Sequence, residues 1–187
     1  MTRDSRTTPI GLFHFAMSYH RAAVALALNS ESYPFKNVPS IFLFSHAIEL
    51  YMKTFLLHVG IGTSELRRAH GHNLRATFQA CRDRGLPDVR SVRFCARLLD
   101  DVRVTTRYRY IETGTTKQPA LASLNQACEG LRDHVYVALK AAGERVHSPR
   151  LYFGDDGHQV PDRWRLFAQD RQVPPKSNGP SDTSTAS

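Results

Sequence analysis

Three polar residues, His46, Glu49 and Lys53, interrupt the most apolar stretch of the sequence at steps of three and four residues. On a helix these steps place the side chains on one face, and Glu49 before Lys53 is the favourable order for an ion pair. Such groups in an apolar helix must be paired or face an opening. Two interpretations follow: a partly buried network that fixes this helix against its neighbours, or a pocket in which Glu49 orients His46 as an acid or base.

A second histidine pair, His70 and His72, lies near Glu65. Without a nearby third ligand this spacing is a weak metal pattern, so we predict no metal site and no other cofactor. His72 precedes an apolar helical pattern, and we expect its ring to bond free backbone N–H groups of that helix or Glu49. No Ser/His/Asp order, phosphate loop or dinucleotide fingerprint occurs, so those enzyme classes gain no support.

Arginine dominates the charge of the chain. Lys and Arg number 25 against 17 Asp and Glu, which makes the formal net charge +8, and 20 of the 25 are Arg. Between Glu65 and Tyr110 there are eleven arginines and five acidic residues, so +6 of the net charge lies in this segment. A GC-rich genome would also enrich arginine, but a localised basic surface attracts nucleic acid, nucleotide phosphate or an acidic partner.

Two patterns inside this basic segment are candidate RNA- or phosphate-binding residues. Arg107-Tyr108-Arg109-Tyr110 alternates cations with aromatic rings, which suits phosphate contact and base stacking on single-stranded RNA. The alternative is that the tyrosines pack inward while the arginines are solvated. Arg93 and Arg97 belong to an arginine stripe on one helical face, where Asp101, four residues after Arg97, can pair with it.

Five stretches of the chain have apolar residues at helical spacing: 11–29, 39–59, 73–85, 87–104 and 121–142. The second is apolar nearly all round, as expected of the buried centre of a bundle. We therefore predict an all-α fold, an antiparallel bundle of about five helices. Gly130, inside the last helix, indicates a close approach by another helix or a dimer interface.

The sequence also predicts the organisation around the bundle. We expect a flexible N-terminus (1–10), the bundle (11–143), a short hairpin-like appendage packed on it (144–171) and a disordered Pro/Ser/Thr/Gly-rich tail (172–187). The odd number of cysteines, Cys81, Cys95 and Cys128, on apolar faces is typical of buried thiols in a reducing compartment. With a polar N-terminus and charged residues in the apolar stretch, we predict a cytoplasmic protein that does not span a membrane.

The order of several motifs resembles the HEPN family of small helical domains. The matching residues are the stretch from Phe44 to Lys53 (FSHAIELYMK), Gly60, the stretch from Gly71 to Leu74 (GHNL), and the R-Y element at 107–110. The resemblance implies a helical bundle, often homodimeric, associated with RNA cleavage, nucleotide binding, or toxin–antitoxin and defence systems. It also implies an antitoxin or a nucleotidyltransferase as a possible partner.

Ribonucleases of that family carry Arg, a polar residue and then His, with four to six residues between the Arg and the His. Arg132-Asp133 matches the first half, but positions 137–139 hold Val, Ala and Leu. His134 is two positions after Arg132, about 200° round a helix, and points away from it. We therefore predict a non-catalytic RNA- or nucleotide-binding protein of a stress or defence system. The alternatives are a metal-independent ribonuclease, with His46, His72 or His134 acting beside Arg132, and an interaction module that docks an acidic antitoxin or a nucleotidyltransferase.

Overall fold

The computed structural model describes residues 7–28, 37–101 and 118–146. All regular elements in these ranges are helical: α1 (Pro9–Leu28), α2 (Val38–His58), α3 (Thr63–Glu65) with the π-helical turn Leu66–His70, α4 (Leu74–Arg82), α5 (Arg90–Asp101) and α6 (Leu121–Ala141). The all-α prediction is confirmed, and the five longer helices coincide with the five predicted stretches. The appendage and tail fall almost wholly outside the described ranges, so the predicted domain boundaries stay predictions.

The central element of the bundle is α2, which packs against α1, α4 and α6. Its apolar residues point in all directions, and six large ones are buried at 0–2% exposure: Ile41, Phe44, Ile48, Tyr51, Met52 and Leu56. Among the described helices, α2 alone is long and apolar enough to cross a membrane, but 67% of its apolar window is buried inside the bundle. A core helix has this composition because every face of it meets another helix.

The three cysteines are free and buried within the helical core. Cys81 and Cys128 donate their thiol hydrogens to the backbone carbonyls of Met52 and Phe44 on α2. Burial raises the pKa of Cys81 and Cys95 to about 12 and raises that of Cys128 as well. The thiols therefore stay protonated and serve as small core residues, as the apolar faces predicted.

The start of α4 is held by its own N-cap residue and by α5. The Asn73 side chain accepts a hydrogen bond from the Ala76 backbone N–H at 2.9 Å. The Asp100 carboxylate accepts bonds from the N–H groups of Leu74 and Arg75 at 3.0 and 2.7 Å. A residue near the end of α5 thus lies at the beginning of α4, and a carboxylate at a helix N-terminus is favourable. The capping role considered for His72 is filled by Asn73 and Asp100.

Gly130 allows a close contact between α6 and the segment that leads into α5. A Cβ atom built on Gly130 would lie 2.8 Å from Cγ1 of Val89, far inside normal contact. The close approach predicted from this glycine is therefore present, and it occurs within one chain. Val89 is β-branched, so its side chain has few rotamers by which to move away.

Replacing Gly130 with Ala is expected to destabilise the protein although alanine is the better helix former. Helix propensity favours alanine by about 1 kcal/mol, whereas overpacking typically costs about 1–3 kcal/mol. In a Val89→Ala background the clash is removed, so the same change should raise the free energy of unfolding by up to about 1 kcal/mol. Urea unfolding of the unmodified protein, of Gly130→Ala, of Val89→Ala and of the double variant measures these free energies. Equal effects of Gly130→Ala in both backgrounds would contradict the close approach.

Candidate functional site

Four arginines line a cleft between α4 and α5. Arg75 and Arg82 come from α4, Arg93 and Arg97 come from α5, and the cleft has a volume of about 380 Å³. Gln79 and the buried residues Phe78 and Ala96 complete its lining. The site combines an apolar floor with a rim of guanidinium groups.

The helical periods of α4 and α5 explain why the arginines gather there. The inward faces bury Leu74, Phe78 and Cys81 on α4, and Val92, Ala96 and Leu99 on α5. The arginines occupy positions beside these apolar stripes, at the edge of the seam where the two helices meet. Long arginine side chains can lie along such apolar surface while their charged ends remain in water.

The charge of this arginine cleft is compensated at one place. Asp88, in the segment before α5, forms ion pairs with Arg82, at 3.3 Å, and with Arg93. No ion pair joins Arg75 or Arg97 to another side chain in the described ranges, which exclude the Asp101 side chain. The described ion pairs of the cleft therefore engage Arg82 and Arg93.

Of the six predicted RNA- or phosphate-binding residues, the structure brings Arg93 and Arg97 into this cleft. Arg107, Tyr108, Arg109 and Tyr110 lie outside the described residues, so their role stays a prediction. Sequence reasoning missed Arg75 and Arg82. Their separation of seven residues places both on one face of α4, and that spacing was the available signal.

A second polar group surrounds Glu49, which is buried in α2 with 2% exposure. Its carboxylate accepts a hydrogen bond from Lys53 Nζ at 2.6 Å and lies 3.0 Å from Nδ1 of His72. Lys53 also donates to the backbone carbonyl of Gly71 at 2.6 Å. The buried charge is thus paired, and the network connects α2 to the turn before α4, as the structural interpretation of His46, Glu49 and Lys53 proposed.

His46 and His72 have different surroundings in this network. The His46 ring packs edge-on against Tyr19 of α1, with centroids 4.4 Å apart, and stacks on Phe42 at 6.4 Å. Burial lowers the pKa of His46, opposed by the charge of Glu49. His72 is 59% exposed at its side chain, so its Nδ1 faces Glu49 while Nε2 is left for other contacts. Glu49 therefore orients His72; no hydrogen bond between Glu49 and His46 is found in the described chain.

The described ranges contain no group of three or more His, Cys, Asp or Glu side chains that could hold a metal ion. Glu65 belongs to the short α3, and His70 to the π-helical turn that follows it. His72 is engaged with Glu49. The three residues considered as a metal pattern consequently do not converge.

Comparison with known proteins decides the family of this chain. The family model described as HEPN domain matches residues 19–133, more than half of the 187 residues and a span that runs from α1 into α6. The chain is a HEPN-domain protein. No curated protein and no solved structure matches it.

In this HEPN domain the incomplete ribonuclease motif lies on α6. The Arg132 guanidinium donates two hydrogen bonds to Asp133 Oδ1, at 2.9 and 2.7 Å. His134 is exposed. Neither His46 nor His72 approaches Arg132 through any hydrogen bond or ion pair of the described residues, so the structure does not assemble the displaced site that was considered.

Sequence reasoning missed His20, a histidine whose pKa is affected by the charge of Arg132. His20 is on α1, 1% exposed, and its Nε2 lies 2.7 Å from Oδ1 of Asn125 on α6. Burial lowers its pKa to about 4, with a smaller lowering by Arg132. More than 100 residues separate His20 from α6 in the sequence, so no local spacing could have connected them. The HEPN domain therefore keeps His20 neutral as a core hydrogen-bonding group.

The buried neutral His20 makes stability depend on pH. The unfolded chain binds a proton near pH 6.5 and the folded chain only near pH 4, so the contribution is complete above 6.5 and is lost between 6.5 and 4. For His20 alone this predicts a loss of about 2 kcal/mol of unfolding free energy between pH 7 and pH 5. Urea unfolding at both pH values measures it.

The variant His20→Gln keeps a neutral polar group beside Asn125 and should lose most of this pH dependence. The exposed residue His134 supplies the matched control, and His134→Gln should retain it. Because the pKa of His46 is also lowered, a smaller pH dependence of the unfolding free energy, with the same sign, remains in both variants. If His20→Gln and the control respond equally to pH, then His20 is not the group that titrates.

Proposed function

We propose that this HEPN-domain protein binds RNA and that the arginine cleft between α4 and α5 holds the phosphate backbone. One observation carries the proposal: Arg75 and Arg97 line the same cleft of about 380 Å³ and form no ion pair with a described carboxylate. Guanidinium groups present a planar fork of donors that matches phosphate oxygens, and the contact is stronger than a neutral hydrogen bond.

The position of the cleft supports a polymeric ligand. It lies inside the 65–110 segment, which carries +6 of the net charge, so the surrounding field favours a chain of phosphates over a single anion. The Arg107 to Tyr110 segment belongs to the same proposal, in which its tyrosines stack on bases of the bound RNA. The family resemblance supports RNA as the polymer and a homodimer of a cytoplasmic stress or defence system as the setting.

Removing the guanidinium groups of Arg75 and Arg97 tests the proposal. The double variant Arg75→Gln/Arg97→Gln should bind a single-stranded RNA roughly tenfold less tightly per arginine, because each substitution removes a charged hydrogen bond. The slope of log affinity against log salt should become shallower by about 0.7 for each phosphate that is no longer neutralised. Fluorescence anisotropy with a labelled oligoribonucleotide at several salt concentrations measures both quantities.

The control changes the same number of charges away from the cleft. Arg21 on α1 and Arg145 after α6 are both exposed, so Arg21→Gln/Arg145→Gln should retain the affinity and the slope. Equal losses in the two double variants would mean that net charge alone drives binding. Unchanged binding by the Arg75/Arg97 variant would remove the cleft from the proposal.

A second candidate, metal-independent RNA cleavage at His72, is favoured by one specific observation. The buried Glu49 carboxylate bonds His72 Nδ1 while the ring remains 59% exposed, which is the arrangement of an oriented general base. Arg75 of the cleft follows only three residues later. In this candidate His72 takes the proton of a 2′-hydroxyl, the O2′–P bond forms, and the P–O5′ bond breaks. The departing oxygen takes a proton from water, which leaves a 2′,3′-cyclic phosphate and a 5′-hydroxyl.

Cleavage assays on structured and unstructured RNA in the presence of a chelator test this second candidate. His72→Gln should abolish cleavage, by roughly 100-fold or more for loss of a general base. Glu49→Gln should lower the rate and displace the pH profile, because Glu49 acts only through His72. His134→Gln is the control, since His134 is exposed on α6, and it should cleave normally. Cleavage that survives His72→Gln, or no cleavage by the unmodified protein, would eliminate this candidate.

A further inference from the structure

The two ends of the arginine cleft differ in what their carboxylates bond. Asp100, near the end of α5, bonds the first N–H groups of α4, so the two helices run in opposite directions. Arg75 therefore marks one end of the cleft and Arg82 the other, about 10.5 Å apart along α4 at 1.5 Å per residue. At the Arg82 end Asp88 bridges Arg82 and Arg93.

Asp88 contacts the arginines in the way an anionic ligand would. Its two carboxylate oxygens are divided between the guanidinium groups, with Oδ1 on Arg82 and Oδ2 on Arg93. Carboxylate and phosphate oxygens bind the arginine fork with the same geometry. The Arg82 end is thus already occupied by an anion of the protein itself, whereas at the Arg75 end the carboxylate of Asp100 bonds the backbone N–H groups of Leu74 and Arg75.

We propose that the cleft contains two phosphate subsites and that Asp88 is the internal competitor for one of them. Arg75 and Arg97 form one subsite, and a second phosphate reaches Arg82 and Arg93 only by displacing Asp88. This inference rests on the proposed RNA-binding function and adds the residue that limits how many phosphates the cleft engages.

The surroundings of Asp88 are compatible with displacement. The side chains of Asp88 and Arg82 are 36% and 34% exposed, and the side chain of Arg93 is 65% exposed. Asp88 lies between α4 and α5 rather than in a helix, so its carboxylate can leave the arginines without breaking helical hydrogen bonds. An exposed ion pair is weak in water, so an incoming phosphate can replace it, although repulsion by the displaced carboxylate lowers the gain.

Neutralising Asp88 is the direct experiment. For a single-stranded oligoribonucleotide of eight uridines, Asp88→Asn should steepen the salt slope by about 0.7, which corresponds to one more phosphate bound. Affinity at low salt should rise roughly tenfold, the effect of one added charged hydrogen bond. The control is Asp83→Asn, which removes an equal charge from an exposed residue and keeps an oxygen that can accept the hydrogen bond from Gln79 Nε2. It should change the slope little.

Arg82 supplies a second and independent readout. With Asp88 in place, Arg82→Gln should weaken binding of the same RNA by less than about threefold, since its guanidinium is already occupied. In the Asp88→Asn background the same change should cancel the tenfold gain. The Arg82→Gln result stands on its own if Asp88→Asn folds poorly, which circular dichroism and thermal unfolding report.

The outcomes separate the two levels of the proposal. Equal effects of Asp88→Asn and Asp83→Asn, or a tenfold loss on Arg82→Gln in the unmodified background, would overturn the competitor role of Asp88. If Arg75→Gln/Arg97→Gln binds RNA like the unmodified protein, then the cleft is not the RNA-binding site, and the proposed function is rejected together with the two subsites. If Arg75→Gln/Arg97→Gln loses RNA affinity while Asp88→Asn and Asp83→Asn bind RNA alike, then the RNA-binding cleft stands and only the second subsite is rejected.

Discussion

The pairing of the buried Glu49 carboxylate is the constraint from which the candidate site follows. A carboxylate that is 2% exposed in the central helix needs compensating partners, and it finds them in Lys53 of its own helix and His72 beyond it. Lys53 adds a bond to the Gly71 carbonyl. The charge therefore determines where the chain passes between the π-helical turn and α4, and removing Lys53 would leave the buried carboxylate with His72 as its remaining partner.

The position of α4 follows from that connection. His72 is directly succeeded by the N-cap Asn73, and the next two N–H groups bond Asp100 of α5. The antiparallel packing of α4 and α5 then brings arginines from both helices to the edge of one seam. The pairing of Glu49 in the core is thus directly connected to the arginine cleft on the surface, because His72 and Arg75 are only three residues apart.

The helical architecture could be predicted because each of the longer helices carries its own apolar period. α2 is apolar all round and lies at the centre, and Gly143, with φ of 79°, ends the last helix in the position that its glycine predicted. The π-helical turn was not predicted, since its i→i+5 bonding, seen in the bond from Gly71 N–H to the Leu66 carbonyl, has no counterpart in the apolar spacing. The pairing of Glu49 with Lys53 could be predicted from their separation of four residues. That His72 rather than His46 pairs with Glu49 could not, because it depends on which ring the fold brings beside the carboxylate.

The sequence by itself determined the helices, the buried thiols, the concentration of positive charge between residues 65 and 110, and the lack of a histidine at positions 137–139. All of these are properties of composition or of spacing within a few turns, and local chemistry is enough to produce them. Only the tertiary structure decided that Arg75 and Arg82 join Arg93 and Arg97, that Asp88 compensates one end of their cleft, and that His20 meets Asn125. His20 and Asn125 are 105 residues apart, and the arginines and Asp88 belong to different elements, so their meeting depends on how the helices pack and not on spacing within one helix.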